Sequence, residues 1–412
     1  MKRYIGMIVT ALFMGGSAWA EPVTNRMYDP CFIGFETDPA MDYGGRDLAT
    51  LDSTLSRLMG ELLRTDRTPA LAMFYELPFA LGFSTVQHEV FGHGSRAREY
   101  SLDPVYAFGL DFSGSTGLRK DPETMEQNVV IAAGGTEGDS VMAHRILMDL
   151  YTGDGADGAK IPLMFMAKID VSLYCLITAD PSKNPADFAT EYNSGNDIAY
   201  YLTARQAQRA HGNPADVWNN AYAINFRDPL LKDDYDEAHM AALWNLADPA
   251  LAASLYGYVA DHLVAGKSQV SPPVIPLGGG YGLTAGTRAF LGPEEVTRFL
   301  DLYLVTPGPL VTVYARDLQN SMDQTFGFGG GLYKIPLGAR IVLSMFGDFW
   351  QTPESAEQFY EGSGWNACGE ITTMLHETVG LSLKLGSKSN GYFPGSPMEA
   401  GVYGGAGLLL AF

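Results

Sequence analysis

Hydrophobic positions follow a helical period in the first two thirds of the chain. In residues 47–63 apolar side chains recur every three or four positions, which is typical of an amphipathic helix. Further apolar or amphipathic segments predict five more helices: residues 69–88, 129–151, 161–179, 197–202 and 248–264. The three long apolar segments contain the ionisable residues Glu76, Glu137, and Lys168 with Asp170. These charges favour helices buried in protein over helices that span a bilayer.

The period changes to two beyond a segment rich in proline and glycine at residues 271–280. Leu300 and Leu302 face one way along the chain, and Asp301 and Tyr303 face the other. The same alternation recurs in four further segments: residues 311–316, 341–345, 379–385 and 402–412. This pattern predicts antiparallel strands joined by turns, while the polar residues 351–369 are expected to form a loop.

The chain ends in an alternating strand whose last residue is Phe412. This ending resembles the terminal strand of bacterial outer-membrane β-barrels, whose last residue is typically phenylalanine. About eight strands of roughly ten residues fit the length of the segment. We therefore predict an α+β fold, with a helical domain at residues 21–270 and an antiparallel β-barrel or barrel-like sheet at 271–412. The barrel would contact the outer membrane, whereas a water-soluble periplasmic sheet with alternating strands is the alternative.

The first twenty residues have the order of a secretory signal. Lys2 and Arg3 precede a short apolar run, and Ala18 and Ala20 offer small side chains before Glu21. The run is too short to span a bilayer. We predict a signal peptide at residues 1–20 and export of the remaining chain to the cell envelope.

Composition narrows the classes of function. The 412 residues include 47 acidic and 27 basic side chains, for a net charge of −20, so binding to nucleic acid is not expected. With 46% apolar and 18% charged residues, global disorder is excluded. Cys31, Cys175 and Cys368 are too few and too far apart for a disulfide scaffold or a thiolate zinc site, although one bridge remains open.

One short motif carries candidate chemistry. His88, Glu89, Gly92 and His93 stand in the order His-Glu-x-x-Gly-His at the end of an apolar segment. Residues five apart lie about 140° apart around a regular α-helix, so the two imidazoles would diverge. A one-residue bulge would bring them to one face, and such bulges are frequent at functional sites. Gly92 tolerates the backbone angles of such a distortion.

The six-residue motif resembles the zinc motif HExxGH of dipeptidyl peptidase III and its relatives. The resemblance implies that His88 and His93 bind Zn²⁺ and that Glu89 is the general base. In that family the third ligand is a glutamate on a later helix, and Glu137 is the matching candidate here. Thr136 precedes it where the family has a second glutamate, so this part of the match is loose. A glutamate in an apolar helix is in any case costly to bury without a partner.

Helical spacing adds weaker candidates around Glu137. His144 lies on the same helix face about two turns later, so it could orient a ligand or stabilise an oxyanion. Asp139 lies on another face and could accept a hydrogen bond from a ligand histidine. Arg96 and Arg98 could bind a substrate carboxylate, although structural ion pairs are the simpler interpretation.

These patterns support three hypotheses of function. The first is an exported, zinc-dependent metallopeptidase of the envelope, acting on protein or peptide substrates. The second is a non-enzymatic outer-membrane barrel protein with a structural metal site. The third is a metal-dependent amidase or lipid hydrolase, which would use the same catalytic groups on another substrate.

Overall fold

The structure is a computed structural model that describes most of the chain. The described residues are 31–36, 41–62, 72–152, 155–320, 323–353, 362–376 and 379–410. The predicted signal peptide at residues 1–20 and the terminal Phe412 lie outside them.

Helices dominate the first part of the described chain, as the periodicity predicted. They are α1 (Met41–Leu62), α2 (Leu77–Val86), α3 (Gly94–Glu99), α4 (Met125–Leu150), α5 (Lys160–Ile177), α6 (Pro185–Ser194), α7 (Asp197–Arg209), α8 (Pro214–Trp218), α9 (Pro229–Leu246) and α10 (Pro249–Gly257). Three π-helical turns adjoin them at Ala72–Glu76, Gln87–His93 and Tyr258–Val264. Within the described ranges, none of the helices combines the length and the hydropathy that crossing a membrane requires.

Two small β elements interrupt the helices and were not predicted. The strands β2 (Pro104–Phe108) and β3 (Gly114–Leu118) form an antiparallel hairpin. The two-residue strands β4 (Ala156–Asp157) and β5 (Gln269–Val270) pair with each other. The hairpin packs against the π-helical turn Gln87–His93.

A ten-stranded antiparallel sheet forms the rest of the molecule. Its strands after β5 are β6 (Ile275–Gly278), β7 (Tyr281–Leu291), β8 (Val296–Val305), β9 (Leu310–Gln319), β10 (Gln324–Pro336), β11 (Ile341–Gln351), β12 (Ser363–Met374), β13 (Val379–Lys388) and β14 (Gly401–Leu410). Consecutive strands pair from β6 to β14. The α+β class and the antiparallel sheet are thus confirmed, whereas the loop predicted for 351–369 is wrong over 363–369, which belong to β12.

The N-terminal strand β1 (Cys31–Glu36) adds a tenth member to this sheet. It pairs antiparallel with β14, so the sheet draws on a segment outside the predicted β region 271–412. No pairing among the described strands joins β1 to β6 or β7, so the ladder is open there rather than a closed barrel. Helices occupy the gap: α1 contacts β1, α9 contacts β7, and α2 and α5 lie between them in contact. Closure by hydrogen bonds fails because helices take the place that further strands would need.

The outward face of the sheet is apolar and the inward face is polar, which is the reverse of the arrangement in a water-soluble protein. The outward face carries exposed apolar side chains, among them Leu300, Leu302, Val313, Phe349, Leu383 and Leu385. The inward face, toward the helices, carries buried ion pairs. Arg288 and Asp301 are 2.9 Å apart, and Arg316 and Asp348 are 2.8 Å apart. The alternation predicted from the sequence is therefore present, with the polar set facing inward.

Candidate metal centre

The π-helical turn Gln87–His93 brings two histidines together. Because π-helical hydrogen bonds join residues five apart, side chains at that spacing share a face of the turn. The Nε2 atoms of His88 and His93 are 3.1 Å apart, and both side chains are buried. This turn is the local distortion that the five-residue spacing predicted.

Glycines let helix α4 approach this turn closely. A Cβ atom on Gly92 would lie 2.6 Å from the carbonyl oxygen of Gly134 and 2.7 Å from Cα of Gly135. A Cβ on Gly135 would lie 2.3 Å from Nε2 of His88 and 2.5 Å from Nε2 of His93. Any larger residue at either position would separate the two helical segments or displace the imidazoles. Backbone of α4 therefore forms one wall of the histidine site.

A hydrogen bond at Nδ1 of each ring fixes the orientation of His88 and His93. Nδ1 of His93 donates to the carbonyl oxygen of Ile131 over 2.5 Å. Nδ1 of His88 faces the carboxylate of Asp170 at 3.1 Å and donates to it. With the Nδ1 positions protonated, the Nε2 atoms of both rings point into the space between them, and in neutral rings each of these atoms carries a lone pair. Two lone pairs at 3.1 Å repel each other unless a proton or a cation lies between them.

A carboxylate from α7 completes a three-atom cluster. Oδ2 of Asp197 lies 2.8 Å from Nε2 of His88 and 3.4 Å from Nε2 of His93. Asp197 is in the first turn of α7, whose preceding residue Asn196 accepts hydrogen bonds from the backbone of Ile198 and Ala199. Ligand atoms about 2.0–2.1 Å from a tetrahedral zinc ion are separated by about 3.3 Å. The spacings of 3.1 and 3.4 Å are close to that value, and the spacing of 2.8 Å between Asp197 and His88 is shorter.

Two further aspartates lie behind His88. Oδ2 of Asp139 is 3.6 Å from Nδ1 of His88 and accepts a hydrogen bond from the hydroxyl of Ser84. Burial, together with the charge of Asp170, raises the pKa of Asp139 to about 7. Burial opposes protonation of His88, but Asp170, Asp139 and Asp197 outweigh it and raise the pKa of His88 well above its usual value. The surroundings thus favour positive charge at this position.

Glu89 adjoins the cluster on the same turn. The hydroxyl of Thr116, on β3, donates to Oε2 of Glu89 over 2.6 Å. Glu89, Asp139, Asp170 and Asp197 place four carboxylates around two histidines. In the part of the chain that the structure describes, no lysine or arginine forms a salt bridge with any of these four. Among the described residues, only the two histidines pair with this negative charge, and a divalent cation would neutralise it further.

Water has a path to the cluster from the aspartate side. The side chains of His88 and His93 are 6% and 7% exposed, whereas those of Asp170 and Asp197 are 19% and 18% exposed. The ring of Tyr174 stacks on His88 with its centroid 5.6 Å away. The site is therefore enclosed by protein on most sides and open on one.

The structure does not bring Glu137 to the histidines. Its Oε2 accepts a hydrogen bond of 2.9 Å from Nε of Arg96, and its Oε1 accepts bonds from Nη2 of Arg96 and the backbone of Gly395. Arg96 is fully buried and also contacts Glu99. The partner that Glu137 required is thus a guanidinium, and the carboxylate next to the two histidines is that of Asp197.

His144 also lies apart from the cluster. It lines a cavity of about 140 Å³ between α4 and the inner face of the sheet, where Tyr303 lies 3.4 Å from its Nδ1. Burial and the nearby Arg288 and Lys168 hold the pKa of His144 well below its usual range. The predicted roles in ligand orientation or oxyanion binding do not follow from this position, because two helical turns along α4 carry the side chain to the sheet side.

The sequence did not identify Asp170 or Asp197 as neighbours of the two histidines. Asp170 lies inside an apolar helix, which indicates that its carboxylate has a polar partner. The sequence does not identify that partner. Asp197 stands at an ordinary helix start, where an acid is expected for local reasons. Their convergence on His88 depends on how α5 and α7 pack against the π-helical turn, and no local pattern encodes that packing.

Comparison with known proteins supplies no family for the chain. No protein-family model matches it, and neither the curated proteins nor the solved structures include a match.

Proposed function

We propose that the protein is a zinc-dependent hydrolase of the cell envelope that cleaves peptide bonds. His88, His93 and Asp197 would hold the metal ion. The observation that carries this proposal is the convergence of three acceptor atoms within 3.4 Å of one another, with Glu89 beside them on the same turn. A bound zinc ion would lower the pKa of water toward neutrality and polarise a substrate carbonyl.

Glu89 fits the role of general base in this proposal. Its carboxylate follows a ligand histidine directly in sequence, and Thr116 holds one of its oxygens in place. It would accept a proton from the attacking water and return it to the leaving amine. Asp170 would act on His88 by fixing its tautomer, as carboxylates behind zinc-bound histidines commonly do.

A structural metal is the competing interpretation, and burial of both histidines favours it. Structural zinc sites are usually closed by four protein ligands, whereas catalytic sites keep one position open. Here the cluster offers three ligand atoms, and its aspartate side is partly exposed. These features support the catalytic interpretation.

The variant Glu89→Gln distinguishes a catalytic metal site from a structural one. We expect this variant to bind one zinc per chain, as the wild type does, while its hydrolysis of fluorescein-labelled casein falls by at least about a hundredfold. Zinc content would be measured by plasma mass spectrometry on the same samples. Equal rates for the two proteins, including no hydrolysis by either, would overturn the peptidase proposal.

We also propose that the sheet places the protein in the outer membrane. An exposed apolar face opposite buried ion pairs is typical of transmembrane β-sheets, in which lipid-facing and interior positions alternate. Strands of 10 to 13 residues between β8 and β14 have the length that such sheets require. Recovery of the full chain in the outer-membrane fraction after carbonate washing would support this location, and recovery in the soluble periplasm would contradict it.

A further inference from the structure

The apolar exterior does not stop where the sheet ends. Helix α9 contacts β7 and β8 at one end of the sheet, and its last two turns expose Met240, Leu243 and Leu246. The neighbouring helix α5 exposes Leu173, Leu176 and Ile177. Both sets lie on the side of the helix that faces away from the core.

The next two helices continue the same surface. Helix α2, which contacts α5, exposes Leu77 and Leu81. Helix α1 exposes Leu51 and Leu58 and contacts β1 at the other end of the sheet. An apolar surface therefore runs from the sheet across α9, α5, α2 and α1 and back to the sheet. We call this surface the apolar belt.

Helix α9 shows where the belt ends. After Pro229, the exposed side chains of its first half are Asp233 and Asp236, and those of its second half are Met240, Leu243 and Leu246. The change occurs within one regular helix, over about one turn of about 5.4 Å. A boundary this narrow, on a helix next to the sheet, is what the edge of a hydrocarbon layer produces.

We infer that the four helices α1, α2, α5 and α9 contact phospholipid acyl chains and complete the membrane-facing wall that the sheet begins. A belt on all sides of the molecule favours lipid over a second copy of the chain, because a protein partner covers one face. None of these helices needs to be apolar all round, since its inner face packs on protein. Exposed patches on water-soluble monomers rarely exceed a few hundred square ångströms, and here exposed apolar side chains lie on four helices as well as on the sheet.

Helix α5 carries residues of both the membrane-facing wall and the cluster around His88. Asp170 and Tyr174, which contact His88, are on α5, whose outward residues are Leu173, Leu176 and Ile177. The cluster thus lies one helix behind the apolar belt. The inference rests on the proposed outer-membrane location and does not depend on zinc or on hydrolysis.

Photolabelling of the wild-type protein tests the inference without any substitution. The full chain would be reconstituted in vesicles of phosphatidylethanolamine and phosphatidylglycerol that contain a phospholipid with a diazirine in one acyl chain. After irradiation and digestion, we expect lipid adducts on peptides from α5 and the second half of α9, as well as on peptides from β8 to β13. Peptides from α6 (Pro185–Ser194), which exposes polar residues, should remain unlabelled. Adducts confined to the strands, or a cross-linked dimer with unlabelled α5, would overturn the inference.

A matched pair of variants gives a second measurement. Leu173→Lys combined with Ile177→Lys adds two charges to the belt, and Thr190→Lys combined with Asn193→Lys adds two to α6. We expect the first variant to reduce the fraction of chain that floats with vesicles several-fold and the second to leave it unchanged. Equal flotation of the two variants would contradict lipid contact at α5. Zinc content, measured in parallel, separates this result from the fate of the proposed function.

Discussion

The guanidinium of Arg96 binds both carboxylate oxygens of Glu137 in the buried contact between α3 and α4. Arg96 is three residues beyond His93, so this ion pair holds α4 against the segment that follows the π-helical turn. Removing one partner of such a pair leaves a buried charge without compensation. The pair therefore acts on stability, and the cluster depends on it only through the position of α4.

Glu137→Gln tests this assignment. We expect the free energy of unfolding to fall by about 3 kcal/mol, because Arg96 would lose its main buried counter-charge. Zinc binding per folded chain should be retained. The control is Asp103→Asn, which removes the exposed partner of Arg119 and should cost less than about 1 kcal/mol. Loss of zinc from folded Glu137→Gln would restore Glu137 as a ligand.

Asp197→Asn should instead remove the metal. The amide keeps the size of the side chain but loses the negative charge, so we expect zinc affinity to fall by at least about a hundredfold. Isothermal titration of the chelator-treated protein measures this constant. Asp187→Asn, which makes the same change on the exposed surface of α6, is the matched control. Unchanged affinity in Asp197→Asn would remove this residue from the proposed ligand set.

Much of this site could be predicted from the sequence. The parts that could not be predicted have a physical cause. The five-residue spacing of His88 and His93 required a distorted helix, and the structure contains a π-helical turn there. The burial of Glu137 correctly indicated that it needed a cationic partner, but burial does not distinguish a metal ion from Arg96. Asp197 became a candidate only through the packing of α7.

The sheet shows the same division between local and long-range information. Alternation along the chain alone separates Leu300 and Leu302, which are exposed, from Asp301, which is buried. Period two identifies two faces but does not state which of them turns inward. The pairing of β1 with β14 joins segments from opposite ends of the chain, and no local pattern predicts such a contact.

Thr116→Val should slow catalysis while leaving the metal in place. The hydroxyl of Thr116 donates to Glu89, and valine has nearly the same shape without the donor. We expect kcat for the casein-cleaving reaction to fall about tenfold, since a less constrained base is less well placed for proton transfer. Ser115→Ala, at the adjacent position of β3, is the control. A rate equal to the wild type, with unchanged zinc content, would show that Thr116 does not position Glu89.

Gly135→Ala should disrupt the cluster by geometry alone. The added methyl group would lie 2.3 and 2.5 Å from the Nε2 atoms of the two histidines, far inside ordinary contact distance. We expect zinc affinity to fall by at least about tenfold, because either the rings or α4 must move. Gly338→Ala is the control, since a Cβ there meets nothing within 4 Å. A zinc-replete Gly135→Ala protein would place the metal elsewhere.

Removal of the metal should destabilise the folded protein. The cluster concentrates four carboxylates around His88 and His93, so without a metal ion only the two histidines offset their mutual repulsion. A ligand at about a thousand times its dissociation constant stabilises the folded state by about 4 kcal/mol. We therefore expect 1,10-phenanthroline to lower the melting temperature of the wild type by several degrees, and added zinc to restore it. Asp197→Asn should melt at the same temperature with and without the chelator. A chelator effect of equal size in both proteins would mean that the stabilising metal is bound away from this cluster.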